Sequence, residues 1–475
     1  MDNIDPRNGG LLDLNLVQLW TLEKVSIERS AGELRVHLRS WSVEGTSPST
    51  RTDVSTGDED TNIYRGYYGK RFSRGEGLQL AGQQFSTTAA RLGGGGDALS
   101  FLARAGVSKR KWSVDAFVNR SHHTRALQPT FGSGLSIPDF DATATLAYLR
   151  AGIGTAGAGP WLQLTASSMR LTESSRRTTP AEAVTRRVVS DTTDTTSSRN
   201  QYVLAGGFLR GPLSISLANR IRAVRGDTYH SPTARVELGN RFGNVSVFGE
   251  RNGLSRTNQA DVIFRVTPIP AVAIAGSFSR TMPDDTLLSE RRPESTAARV
   301  EAGVRLIGPW IIAGYIRRDT ALLAPPSVLD TAYVFGRVGK RAGMYLGARG
   351  NVYKDLGVDI VATRWDAAGV YQPHQQVRSE LSLVTNWISR FPGGNFGVKA
   401  LVLNEYRGRV AFPVAGGTRT AAASSVFSAL VEIRIMRATI SYQVRNIAGE
   451  VYQIVPDFFM PRGLNIYGVR WEFWN

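Results

Sequence analysis

The chain has no cysteine, so it has no disulfide framework, thiolate metal site or thiol nucleophile. Lacking cysteine suits a chain that crosses an oxidising compartment, although many cytosolic proteins share the trait. Histidine occurs only at positions 37, 122, 123, 230 and 374. The adjacent His122 and His123, expected in a loop, have no third ligand at a usable spacing, so no metal or other cofactor is expected. No stretch approaches the roughly 18 consecutive apolar residues of a membrane helix. The richest runs, Pro309 to Ile316 and Ile269 to Gly276, are short and end in arginine or a polar turn. Met1 to Gly10 reads MDNIDPRNGG and has no apolar core of an export signal. There is no G-x-S-x-G elbow, and Gly93 to Gly96 is not followed by the Lys-Ser/Thr of a phosphate loop; no enzymatic site is expected. Lysine is scarce, found only at 24, 70, 109, 111, 340, 354 and 399, so the net charge of +17 is carried by arginine. These arginines are spread segment by segment instead of forming a tail or one helix face, which argues against a nucleic-acid partner.

What the sequence does contain is strict period-two alternation, the mark of a strand with two unlike faces. Trp112, Val114, Ala116 and Val118 alternate with Ser113, Asp115, Phe117 and Asn119. Ala234, Val236 and Leu238 alternate with Arg235, Glu237 and Gly239, and Val300, Ala302, Val304 and Leu306 with Glu301, Gly303 and Arg305. Phe427, Ala429, Val431, Ile433 and Ile435 alternate with Ser428, Leu430, Glu432 and Arg434. Charged residues in mid-strand do not suit the inner face of a soluble sandwich. Strands of about 10 to 13 residues exceed the usual soluble length of about 5 to 6. No motif repeats at the roughly 40 to 50 residues of a propeller. A barrel whose lipid face uses every second residue leaves mean hydropathy near neutral, here −0.18.

Connections alternate between short ones rich in Gly, Pro and Asn, such as Gly211-Pro212 and Arg390 to Asn395, and long polar ones. The long ones are expected at Ser121 to Asp139, Leu171 to Asn200, Met282 to Thr296 and Arg407 to Thr420. Leu171 to Asn200, without an apolar pattern, is expected to be an outer loop. Segment counting gives about 23 strands, and single-chain bacterial barrels have even numbers. The surplus is expected within Tyr333 to Asp366. The fold class is therefore all-β, a transmembrane antiparallel barrel of about 22 strands over residues 49–475.

The last strand, Leu464 to Asn475, reads LNIYGVRWEFWN. Gly468, Trp471 and Phe473 resemble the assembly signal near the end of outer-membrane barrels. Over Tyr442 to Asn475, the positions Asn446, Tyr452, Pro461, Arg462, Gly463 and Trp471-Glu472-Phe473 resemble the end of TonB-dependent receptors, with Arg462 and Gly463 swapped from the usual order. Leu22 to Trp41 is similar to the later part of a receptor plug at Ile27, Glu28 and Arg29, which makes residues 1–48 a partial, plug-like remnant. The resemblance implies an integral outer-membrane protein in contact with lipid, lipopolysaccharide and the barrel assembly machinery, and with TonB if a full plug lies upstream. It implies uptake of a large, scarce nutrient. A passive porin-like channel or a structural or adhesive barrel are the alternatives.

An arginine on the lipid face at mid-membrane would cost about 2 to 4 kcal/mol. Arg235, Arg305, Arg434 and Arg470 are therefore expected in the lumen, accompanied by Glu237, Glu301, Glu432 and Glu472. Such charges serve either a substrate or a solvated network that fills the barrel. Arg176, Arg177, Arg186, Arg187, Arg291 and Arg292, expected in outer loops, are candidates for lipid phosphates.

Overall fold

The computed structural model describes residues 22–29, 34–40, 46–88, 94–129, 136–137, 139–155, 158–177, 191–224, 226–284, 294–323 and 333–474. Twenty-two of its strands close into one antiparallel barrel, running from Ser49–Gly57 to Leu464–Trp474. Each strand pairs with the next in chain order, and the last returns to the first in register from Ser49↔Trp474 to Gly57↔Ile466. Side chains follow the alternation. Leu149, Leu162, Leu164 and Leu204 point outward and remain half-exposed, as on the face that a transmembrane barrel turns to lipid.

The long connections gather at one end, together with tight turns at Gly57 to Thr61, Val224 to Asp227 and Asn252 to Thr257, and the other end has short turns apart from Thr385 to Phe396; bacterial barrels place long loops outside and turns on the periplasmic side. Around the short-turn end, Trp112, Phe242, Tyr353 and Trp387 are exposed, as expected of an interfacial aromatic girdle. Within Tyr333 to Asp366, where a surplus strand was expected, one short strand stands outside the barrel. Gly336–Val338 pairs with Ala321–Leu323 outside the barrel, while Arg341–Tyr353 and Leu356–Trp365 belong to it.

Two expected loops are shorter than their composition implies. The strand Trp112–Arg125 carries His122 and His123, which pair with Thr143 and Ala142 of the next strand and are not in a loop. Ala158–Arg177 and Asp191–Arg210 pair as far as Arg177↔Asp191, so most of Leu171 to Asn200 is a hairpin. Arg176 and Arg177 thus continue a strand; Arg186, Arg187, Arg291 and Arg292 lie outside the described residues. Arg407 to Thr420 contains a hairpin of its own, Val410–Val414 with Gly417–Ala421.

The outer loops that follow residue 318 pack on one another. Tyr333, Val410, Phe412 and Ala421 form a buried core, joined by Tyr371, Val414, Val455 and Phe458. Tyr333 donates to the Pro456 carbonyl at 3.3 Å and Arg419 pairs with Asp457 at 2.6 Å. Asn446 is buried with a positive φ of 56°. Its side chain donates to the carbonyls of Glu450 and Pro461 at 2.9 and 3.0 Å and accepts from the Glu450 N–H at 3.1 Å. That closes the loop before the last strand. At another outer connection, hydrogen bonds from Arg251 and Asn258 hold the Asp284 carboxyl below the ordinary carboxylate range.

At the seam, Gly468 faces inward between Ser55 and Ser441. A Cβ there would lie 2.4 Å from Ser55 Oγ and 2.8 Å from Ser441 Oγ. Gly66, by contrast, has open space at its Cβ position. Gly468→Val is expected to cost about 1 to 3 kcal/mol by overpacking and to reduce the heat-modifiable, barrel-closed band on gels, while Gly66→Ala leaves it unchanged. Equal band intensities for the two variants would refute the steric account of closure.

Candidate functional site: the charged lumen

Inward positions of neighbouring strands fall in register, so charges from different strands meet across the lumen wall. One line of alternating charge crosses the closure. Arg65 and Arg51 lie 3.6 and 3.8 Å from Asp53, and Arg51 lies 4.0 Å from Glu472. Arg470 lies 3.1 Å from Glu472 and 3.5 Å from Glu432, which Lys399 approaches to 3.6 Å. Arg470 reaches Glu432 over an intervening strand, whose inward residue at Glu432↔Ser441↔Gly468 is small. Each carboxylate in the line serves two cations.

A second cluster repeats the pattern. Asp115 accepts from Arg104 Nε at 3.0 Å, Arg150 Nε at 2.7 Å and Tyr148 Oη at 3.2 Å. Tyr148 is stacked on Phe117 with centroids 4.9 Å apart, which fixes the ring that donates. Beside it, Lys70, Arg71, Gln79 and the two arginines line a cavity of about 290 Å³.

The third cluster faces the segment inside the barrel. Arg299 donates to Glu301 at 2.7 Å and to Tyr345 Oη at 2.9 Å, and its guanidinium lies 4.6 Å from the Tyr345 ring centroid. Tyr345 Oη also donates to Glu301. A cavity of about 720 Å³ is bounded by Arg265, Arg299, Glu301 and Arg349 of the wall and by Val25 and Ile27. Those two apolar residues belong to the hairpin Leu22–Arg29 with Leu34–Ser40. Its Glu28 lies 3.1 Å from Arg235 and 3.5 Å from His37.

The inward-facing charges read from the sequence therefore divide. Arg235 with Glu237 at 3.3 Å, Glu301, Glu432, Arg470 and Glu472 join the networks. Arg305 and Arg434 do not. Arg305 donates to the Gly308 carbonyl at 3.4 Å, and Arg434 to Asn386 Oδ1 and the Gly394 carbonyl, each at 3.1 Å. Both sit at the short-turn rim, because alternation gives the face of a strand and not the height along it. Arg51, Asp53, Arg65, Arg104, Asp115, Arg150, Arg299 and Tyr345 were not singled out from the sequence. Asp115 was visible as the charged member of an alternating strand; the others required the register. Gly468 faces inward, while Trp471 and Phe473 point outward and are exposed. Among the described residues, no group of three or more His, Cys, Asp or Glu is placed to hold a metal.

The closed 22-strand barrel is the fold of TonB-dependent-receptor barrels. Solved structures that share it include the FrpB iron transporter from Neisseria meningitidis, with a TM-score of 0.70 and 10% identity over 96% of this chain and 89% of that one. The siderophore receptor PirA from Acinetobacter baumannii aligns with a TM-score of 0.69 and 9% identity over 97% and 86% of the two chains. The ferric enterobactin receptor PfeA from Pseudomonas aeruginosa gives 0.70 and 9% over 97% and 88%. At such identities the likeness is one of fold. No protein-family model matches the chain, and no curated protein matches its sequence.

Asp115→Asn would leave Arg104 and Arg150 side by side without their shared carboxylate. The expected loss is about 2 kcal/mol in urea unfolding of the detergent-folded barrel. Adding Arg104→Met should recover part of it. A loss that is merely additive in the double variant would show that the cluster is not coupled.

Proposed function

We propose that this chain forms the barrel of an outer-membrane transporter of the TonB-dependent type, taking up a large, scarce nutrient. The observation that carries this reading is a closed 22-strand barrel whose lumen holds a hairpin bonded to the wall through Glu28 and Arg235. The solved structures that share the fold, an iron transporter, a siderophore receptor and a ferric enterobactin receptor, favour ferric siderophores as the first ligands to test. The Leu22–Ser40 hairpin supports the assignment of residues 1–48 as plug-like and 49–475 as barrel. Coupling to TonB belongs to the same proposal. Tryptophan-fluorescence titration of the purified chain with a panel of ferric siderophores tests the ligand class. Saturable quenching by at least one supports it, and none across the panel removes it.

Conductance separates a transporter from a passive channel. The full chain in planar bilayers should conduct poorly, and removal of residues 1–48 should open it. The opened lumen should favour anions, because cations outnumber the carboxylates they share in its charge clusters. The preference should fade as the Debye length falls from about 10 Å at 0.1 M salt to about 3 Å at 1 M. Steady, large conductance by the full chain would instead support a porin-like role. Reversal potentials untouched by Arg150→Gln with Arg235→Gln would detach the selectivity from these arginines.

Gly468, Trp471 and Phe473 form the assembly signal in this reading, recognised by the barrel assembly machinery. Trp471→Ala with Phe473→Ala should lower the membrane-inserted fraction several-fold more than two alanines placed in an outer loop. Equal insertion of the two variants would remove the signal assignment.

A further inference from the structure

The outward face changes character at one level on four neighbouring strands, Trp112–Arg125, Phe140–Thr155, Ala158–Arg177 and Asp191–Arg210. Below that level the outward residues include Ala116, Leu149, Ala166 and Tyr202, in register with one another. Two rungs higher, the register reads Arg120↔Thr145, Thr145↔Arg170 and Arg170↔Ser198. Both arginines are exposed on the outside of the barrel.

Among the described residues the adjoining rungs supply no carboxylate, and the outward Asp97 and Asp141 stand two rungs above, where Asp141 lies 3.5 Å from His122. The rung below holds Val118, Ala147, Ser168 and Asn200, and the rung above holds His122, Thr143, Thr172 and Thr196. No carboxylate stands among them. An outward arginine costs about 2 to 4 kcal/mol at the bilayer midplane and about 0 to 1 near the interface. A pair directly above an apolar band therefore marks the level of the outer headgroups. Arginine binds phosphate through two parallel N–H donors, with a geometry that favours such headgroups.

We propose that Arg120 and Arg170 clamp the phosphates of a lipopolysaccharide molecule in the outer leaflet, with the Thr145 and Ser198 hydroxyls beside them. The proposal rests on the outer-membrane reading of the barrel. Two strand spacings separate the arginine backbones by about 10 Å. A headgroup phosphorylated at both ends can engage both guanidinium groups, whereas the single phosphate of a glycerophospholipid engages one. That difference selects lipid A as the occupant.

The test uses the full chain, its Arg120→Gln/Arg170→Gln variant and a control of equal charge loss at two exposed arginines elsewhere, Arg390→Gln/Arg409→Gln. Heat-modifiable migration first establishes that each forms a barrel. Native mass spectrometry then measures binding of bisphosphorylated, monophosphorylated and dephosphorylated lipid A and of phosphatidylglycerol. The parent and the control should bind the bisphosphorylated form most tightly. The clamp variant should bind it at least about tenfold more weakly, the loss of roughly one charge-assisted contact. Equal binding by parent and clamp variant overturns the proposal. So does equal binding of phosphatidylglycerol or dephosphorylated lipid A by the parent, since the site would then be a general lipid surface. Failure of the parent to form a heat-modifiable barrel overturns the outer-membrane reading and the clamp with it. A barrel without the lipid preference overturns the clamp alone.

Discussion

In a bilayer the backbone has no water to bond with, so every N–H and C=O at membrane depth must find its partner within the chain. A sheet meets that demand only if its first and last strands pair, and the rest of this structure depends on that meeting of Ser49–Gly57 with Leu464–Trp474. The seam is built for close approach. Gly57 abuts the Asn465 carbonyl, where a Cβ would lie 2.2 Å away, and Gly468 fits between two serines. Asp58 fastens the outer end, accepting from the Asn465 backbone at 2.9 Å and from its side-chain amide at 2.7 Å. The line of charge from Arg65 to Lys399 crosses the same junction on the lumen side. These pairs are partly exposed and individually worth about 0.2 to 1 kcal/mol. What they add to the seam is register, because a slip of one residue would carry Arg51, Asp53 and Arg470 to the lipid face.

Closure also explains why the lumen is charged at all. Once one face of each strand must be apolar at membrane depth, the charged side chains at that depth fall on the other face. A lumen lined by 22 strands is too wide for side chains to fill, so it admits water, and ionised groups can be hydrated there. Arginine suits this wall, since its planar fork lets one carboxylate serve two cations, as Asp115 does for Arg104 and Arg150. Tyrosines support the pattern: Tyr148 and Tyr345 each donate to the carboxylate that an arginine also binds.

How much of this was legible in the sequence follows from where the two strand faces meet unlike media. Within the membrane they do, and alternations such as Trp112 to Asn119 give both the strand and its orientation. Above the membrane both faces meet water. Alternation then disappears while backbone pairing continues, which is why Ser121 to Arg125 and Leu171 to Arg177 read as loops and are strands. The lumen charges were legible by face and not by partner. Glu301 pairs with Arg299 on its own strand and with Tyr345 two strands away, and only the register brings that tyrosine near. Arg120 escaped notice for a related reason, standing where an outward apolar series ends. Asn446 was marked only by resemblance, and its role in closing a loop rests on a carbonyl 15 residues further along.

The parts of the chain differ in how firmly they are held. The barrel strands are fixed by a continuous, closed ladder, and opening any one pair in lipid would strand backbone groups without partners. The hairpin at Leu22–Ser40 forms its own two-stranded sheet, separate from the barrel sheet. Its contacts with the wall include the ion pair of Glu28 with Arg235, and Val25 and Ile27, about half-exposed at 50% and 52%, line the cavity between hairpin and wall. Removing the hairpin breaks no barrel hydrogen bond, and Arg235 keeps Glu237 as a partner when Glu28 leaves. The hairpin is thus joined to the wall through side chains, whereas the wall is held by its backbone ladder. The closed ladder therefore fixes the wall independently of what the lumen holds, since none of its strand pairings involves the hairpin.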